Sequence, residues 1–143
     1  MTKLQLSEEV SLSATPCWER MKKLEKTGII QGYHAAFDLK ALTGVFYSRV
    51  EVTLKNYSMM TAAKFEKFIK SMPEVIECES VLGSLDYVLK VLSRNVEDYQ
   101  EIIERLCEQS GVEIDFRTFP VSKVIKEPNQ TDVLEIYNTF VEQ

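Results

Sequence analysis

The stretch PEVIECESVLGSLDYVLKVLSRNVEDYQ, residues 73–100, decides how this chain folds. Pro73 cannot continue a helix, so whatever helix precedes it stops there. Two strand-like runs follow, VIECESVL and LDYVLKVL, separated by Gly83-Ser84, a pair that favours a tight reversal. Asn95 then stands as an N-cap, and Val96, Tyr99, Ile103 and Leu106 recur at helical spacing until Gly111. Strand, turn, strand and helix are thus written in one continuous segment.

Upstream, Ser58 to Met72 reads as a helix with Phe65, Phe68, Ile69 and Met72 along its core stripe. Before it, VFYSRVEVTL (Val45 to Leu54) alternates, with Phe46, Val50, Val52 and Leu54 on one side and Arg49, Glu51 and Thr53 on the other. Downstream, Val112 to Lys126 is a long strand-like run interrupted by Pro120, which fits only a sheet edge or bulge. The order is β-α-β-β-α-β, the ferredoxin-like arrangement. Helices on one face of such a sheet leave strand side chains such as Tyr47 or Val81 to be covered, so at least a dimer is expected.

Residues 1–34 read differently. Leu4 to Val10 is a short amphipathic helix, SLS a tight turn, and Ser13 an N-cap for a second helix that tolerates Pro16 in its first turn. At roughly 100° per residue, Ala14, Cys17, Met21 and Leu24 share one stripe, and Thr15, Glu19, Lys22, Lys23 and Lys26 the opposite one. Trp18 lies between the two, where partial burial is its ordinary role. Gly28 terminates the helix, and IIQGYHAAF alternates around Gly32 like a small wing. Residues 35–44 form a linker, residues 45–126 the ferredoxin-like domain, and residues 127–143 an extension. That extension carries a final helix from about Thr131 to Glu142, with Val133, Ile136, Tyr137, Phe140 and Val141 on one side. The fold class is α+β.

Composition narrows the function. The chain has 143 residues and a formal net charge of −5, but residues 1–34 sum to +1 and the remainder to −6. Only the N-terminal part therefore suits a polyanion. No run approaches the roughly 20 apolar residues of a membrane span, and the start lacks a secretory layout, so the cytoplasm is the expected compartment. Three scattered cysteines and a single histidine, His34, offer neither a disulfide framework nor a zinc site, and each cysteine reads as a small buried hydrophobe. No nucleophile-base pair, carboxylate pair or phosphate-cradling loop is present, so no enzyme and no cofactor or metal is expected.

A recognition helix needs one apolar face and one polar, donor-rich face, which residues 13–27 supply; a solvated lysine-rich face reads the same way. LSATPCWERMKKLEKTGIIQGYHAAFD, followed by LKALTG, resembles the helix-turn-helix end and linker of the leucine-responsive/asparagine-synthetase (Lrp/AsnC) regulator family. Residues 73–100 and GVEIDFRTF are similar to that family's effector module, with its strand, G-x-x-D-Y turn and second helix. The likeness runs from Leu4 to about Lys126, and two motifs in the right order make it specific.

The resemblance implies a transcriptional regulator that binds double-stranded DNA and responds to an amino acid or related small molecule. Its dimers would assemble into larger rings, possible octamers among them, with effector held between dimers. The DNA-binding residues would be Thr15, Glu19, Lys22, Lys23 and Lys26. The effector residues would be Gly83, Asp86, Tyr87 and, as a weaker match, Thr118. Asp86 suits an ammonium group and the backbone near Gly83 a carboxylate. Gly83 equally reads as a turn glycine, Asp86 as a strand-end carboxylate and Tyr87 as sheet packing. The family's DNA-binding domain opens with a further helix, so residues 1–34 are read as a partial helix-turn-helix, and the C-terminal helix extends past the family's usual end. The alternative function is a stand-alone effector-sensing and oligomerisation module without specific DNA binding. Some proteins that resemble the family are sirohaem decarboxylases, but that chemistry leans on histidines, and this chain offers only His34, in the expected wing.

Overall fold

The computed structural model describes residues 2–33, 35, 41 and 44–126. The C-terminal helix expected from 131 to 142, His34 and most of the linker lie outside the described residues. The chain divides into two compact units, Met1–Asp38 and Leu39–Gln143.

In the first unit, α1 (Lys3–Glu9) opens with a reciprocal cap: the Gln5 N–H donates to Thr2 Oγ1, and the Thr2 N–H to Gln5 Oε1. The chain reverses through Ser11, a non-glycine residue at φ 53°, and enters α2 (Ala14–Lys26). The two helices pack on each other around Ser7 and Cys17, both buried. Ser13 occupies the N-cap position in extended conformation, but its hydroxyl makes no capping hydrogen bond. Gly28, at φ 74°, ends the helix, donating its N–H to the Glu25 carbonyl. Residues 29–33 contain no strand, so nothing of the expected wing is formed among the described residues.

The second unit runs β1 (Phe46–Leu54), α3 (Met59–Ile69), β2 (Val75–Ser80), β3 (Tyr87–Ser93), α4 (Val96–Gln109) and β4 (Ile114–Pro120). Its sheet is antiparallel with order β2-β3-β1-β4, the ferredoxin-like arrangement. Pro120 sits at the end of an edge strand, opposite Ser48, where a missing N–H costs least. Caps fix both helices: Ser58 Oγ accepts from the Thr61 N–H, and Asn95 Oδ1 from the Asp98 N–H.

Alternation along β1 and β3 turns Val50, Val52, Leu54, Tyr87, Leu89 and Val91 towards the helices. They close with Phe65, Ile69, Met72, Ile102, Ile103 and Leu106 into one core. A buried Phe or Leu side chain contributes about 1.5–3 kcal/mol by leaving water, so this layer dominates the stability of the unit. Val96, expected on the apolar stripe of α4, is instead 62% exposed, because as the first helical residue it lies beyond the sheet's reach. The opposite sheet face carries Tyr47, Val88 and Leu92 among ion pairs, including Arg49–Glu77 and Arg117–Glu51.

Two cysteines also differ from expectation. Cys17 is buried, but Cys78 and Cys107 are exposed. Cys78 lies on the edge strand β2, where no neighbouring strand screens it on one side. Burial of its surroundings still pushes the Cys78 thiol above its ordinary range, with Glu66 adding to the effect, so it stays protonated near neutrality.

Candidate functional site

Two places carry the residues singled out from the sequence, one in each unit. On α2, Thr15, Glu19, Lys22, Lys23 and Lys26 are all exposed along the helix. The Lys22 ammonium lies 5.0 Å from the centroid of the Trp18 ring, a cation–π contact that holds the lysine stem against the helix surface. Lys23 and Lys26 occupy the last turn, where they also offset the negative end of the helix dipole. The opposite stripe is only partly covered: Cys17 is buried and Met21 half-buried, but Ala14 is exposed and Leu24 is 37% exposed. The seven-residue α1 is too short to cover the whole of a thirteen-residue partner.

In the second unit the loop from β2 to β3 brings Gly83, Asp86 and Tyr87 together. Gly83 is exposed at φ 145°, and a Cβ there would meet nothing within 4 Å. The backbone conformation, rather than lack of room, demands glycine. Asp86 closes the loop with three hydrogen bonds. Its N–H donates to the Val52 carbonyl at 3.0 Å and its carbonyl accepts from the Val81 N–H at 2.9 Å. Its carboxylate Oδ2 accepts from the Leu54 N–H at 2.7 Å. The side chain thus ties the end of β1 to the hairpin, a structural duty that a strand-end carboxylate read from sequence does not reveal. Oδ1 makes no hydrogen bond among the described residues.

Tyr87 is buried. Its ring centroid lies 4.8 Å from that of Phe65, and its hydroxyl donates to Glu66 Oε1 at 3.0 Å. Burial first, and the Glu66 hydrogen bond next, push the phenol well above its usual range. Tyr87 also lines a cavity of about 320 Å³ between α3 and the sheet edge, with Glu66, Lys70, Cys78 and Ser80. Glu66 is the site neighbour that sequence reasoning missed. Its only signal is its place beside Phe65 on α3, which says nothing of the hydroxyl whose hydrogen bond it accepts.

Thr118 is not brought to this loop. It pairs with Val50 on β4, two strands from β3, and its hydroxyl is hydrogen-bonded to that of Tyr99 on α4. Adjacent strands lie roughly 4.8 Å apart, so about 10 Å separates Thr118 from the strand that carries Tyr87.

A helix-turn-helix unit joined to a ferredoxin-like unit with a loop-built polar site is the make-up of a DNA-binding regulator with a small-molecule module. Comparison with known proteins gives that class a family. Residues 49–131 match the Lrp/AsnC ligand binding domain, and residues 1–31 match a winged helix-turn-helix DNA-binding domain. The transcriptional regulatory protein DoeX of Halomonas elongata is 37% identical over 130 residues, covering 90% of this chain and 82% of that protein. The leucine-responsive regulatory protein of Haemophilus influenzae is 35% identical over 130 residues, covering 90% and 78%. The fold superposes on transcriptional regulator NMB0573 of Neisseria meningitidis, solved as its L-Met complex, with TM-score 0.85 and 26% identity over 95% of this chain and 88% of that one. An AsnC family regulator from Agrobacterium tumefaciens shares the fold with TM-score 0.84 at 24% identity, covering 95% and 88%. The chain belongs to the Lrp/AsnC family of transcriptional regulators. No helix among the described residues is long and apolar enough to cross a membrane.

Proposed function

We propose that this regulator meets double-stranded DNA through α2 and takes an amino acid at the loop between β2 and β3. Thr15, Glu19, Lys22, Lys23 and Lys26 face the duplex, the lysines on phosphates and Thr15 and Glu19 nearer base edges. Asp86 receives the ammonium group of the amino acid, the loop backbone near Gly83 its carboxylate, and Tyr87 forms the floor. Thr118, two strands away, joins the site from a second copy in a homo-oligomer, a dimer or an octamer. The observation that carries this reading is the Asp86 carboxylate, held by Leu54 through one oxygen while the other makes no hydrogen bond among the described residues. A relative named for leucine response and a similar structure solved with L-Met favour an amino acid as ligand.

The chain acts as a regulator rather than an enzyme, in the cytoplasm where its DNA lies. The test is fluorescence anisotropy on an operator fragment selected from random duplexes, with and without L-leucine, L-methionine and L-asparagine. Sequence-specific binding that one amino acid shifts several-fold is expected. Binding that no sequence improves would leave a stand-alone effector module instead. Light scattering at micromolar concentration checks the assembly, and a monomer would refute it.

A further inference from the structure

The two helices that cover the core of the second unit present opposite charges to the outside. At roughly 100° per residue, Glu97, Glu101, Glu104 and Glu108 fall within about 60° of arc on α4, opposite the stripe of Ile102, Ile103 and Leu106. All four are exposed. On α3 the side turned away from Phe65 and Ile69 carries Lys64, Lys67 and, at the C-cap, Lys70, all exposed. Met59 and Met60, 90% and 69% exposed, stand at the start of the same helix. None of these seven charged side chains is in an ion pair among the described residues, and the arginines on or next to α4 are engaged elsewhere, Arg94 with Asp98 and Arg105 with Glu74.

The glutamate ridge is unfavourable for a copy standing alone. Like charges three or four residues apart on one helix face repel each other. Glu104 and Glu108 also lie towards the negative end of the helix dipole, and the last turn holds no base to offset them. A surface of opposite sign relieves both effects, and this chain carries one on α3, in the same helix layer. Because β1 and β3 are antiparallel, α3, which follows β1, and α4, which follows β3, run in opposite directions. A two-fold axis parallel to the helices and above their layer therefore lays α3 of each copy over α4 of the other. At 1.5 Å per residue Lys64 to Lys70 extend about 9 Å and Glu97 to Glu108 about 16 Å, so the ridge accommodates all three lysines. A single exposed ion pair contributes little, but here several act together, and the symmetry makes every one of them twice. We propose that two copies of this chain associate through their helix layers, the lysine face of each α3 seated on the glutamate ridge of the other's α4. This specifies one contact of the homo-oligomer proposed above and rests on that assembly, but on neither the amino-acid nor the DNA site.

The test mixes ¹⁴N- and ¹⁵N-labelled full chain at low salt and adds a water-soluble carbodiimide, which joins a lysine amine to a carboxylate already in contact with it. Mass spectrometry should find Lys64, Lys67 or Lys70 joined to the α4 glutamates in peptide pairs that carry one label from each copy. Lys64→Glu with Lys67→Glu, and separately Glu101→Lys with Glu104→Lys, should each weaken assembly about tenfold or more in sedimentation against dilution. An equimolar mixture of the two reversed proteins should restore assembly, because each then offers the sign the other lacks; misfolding cannot mimic that rescue. A parent protein that sediments as a monomer would overturn both the assembly and this contact. An oligomer whose cross-links stay within one copy, or run from these lysines to the acidic residues beyond 126 instead, would overturn this contact alone, as would reversals that leave assembly unchanged or a mixture that fails to restore it.

Discussion

Replacing Asp86 separates its two roles. The carboxylate accepts the Leu54 N–H at 2.7 Å, at the end of β1, where Leu54 itself is only 3% exposed. Asp86→Ala leaves that N–H without its charged acceptor, and such a loss costs about 1.5–3 kcal/mol. Asp86→Asn keeps an amide oxygen in the same place, so its cost should be about 1 kcal/mol or less. Binding should sort the other way: both variants lose the charge proposed to hold the ammonium, and affinity for an amino acid should fall about tenfold or more in each. Urea unfolding followed by tyrosine fluorescence and far-UV dichroism reads the first effect, and calorimetry with L-methionine or L-leucine the second. Trp18, the only tryptophan, lies in the N-terminal unit, so its own unfolding transition should not move. An Asp86→Ala protein within about 0.5 kcal/mol of the parent would refute the clamp, since that is the scatter of neutral surface changes. An Asp86→Asn protein with undiminished affinity would remove Asp86 from the effector site.

Three further outcomes are expected. Replacing Lys22 and Lys26 with alanine should weaken DNA binding and reduce the slope of log K against log salt by about 0.9 for each phosphate no longer neutralised; an unchanged slope in anisotropy titrations would take both lysines off the DNA. The Asp98 carboxyl, held down chiefly by its hydrogen bond from the Arg94 side chain, should titrate at about 2 by NMR. Because its folded value is depressed, the stability it contributes is present above the ordinary aspartate range near 4 and is lost as pH falls towards 2, and Arg94→Ala should move the midpoint back up. Phe65→Ala empties a fully buried ring site against Tyr87 and should destabilise the second unit by about 3–5 kcal/mol, seen as a lower urea midpoint in dichroism.

The topology was legible because its signals are local and agree with one another. Pro73, Gly83 and Asn95 punctuate residues 73–100, and β1 alternates cleanly because one of its faces is core. What failed was whatever depended on an element's end or edge. Val96 has helical spacing but no sheet beneath it, and Cys78 has strand spacing on a strand with a neighbour on only one side. On α2 the apolar stripe is legible as a stripe, but its cover depends on the length of α1, which periodicity within α2 cannot express. The candidate site was legible where it is contiguous, at Gly83, Asp86 and Tyr87. Its supports were not, since Leu54 and Glu66 lie 32 and 21 residues away from the groups they bond, and nothing in the spacing connects them.

A ligand on one unit can alter DNA binding by another only if it binds one arrangement of the protein better than the alternative, and such coupling is reciprocal. If an amino acid at the Asp86 loop changes operator affinity by some factor, saturating operator must change amino-acid affinity by the same factor. The measurement is a pair of titrations, DNA with and without amino acid, and amino acid with and without DNA, at fixed protein concentration. Equal factors are expected when one assembly is present throughout. If the amino acid instead shifts the number of subunits, both factors will vary with protein concentration, because mass action on the oligomer then enters each apparent constant. Light scattering of the same mixtures distinguishes the two routes. Factors that are both 1 while assembly stays constant would show that the amino acid and the DNA do not act on one equilibrium of this protein.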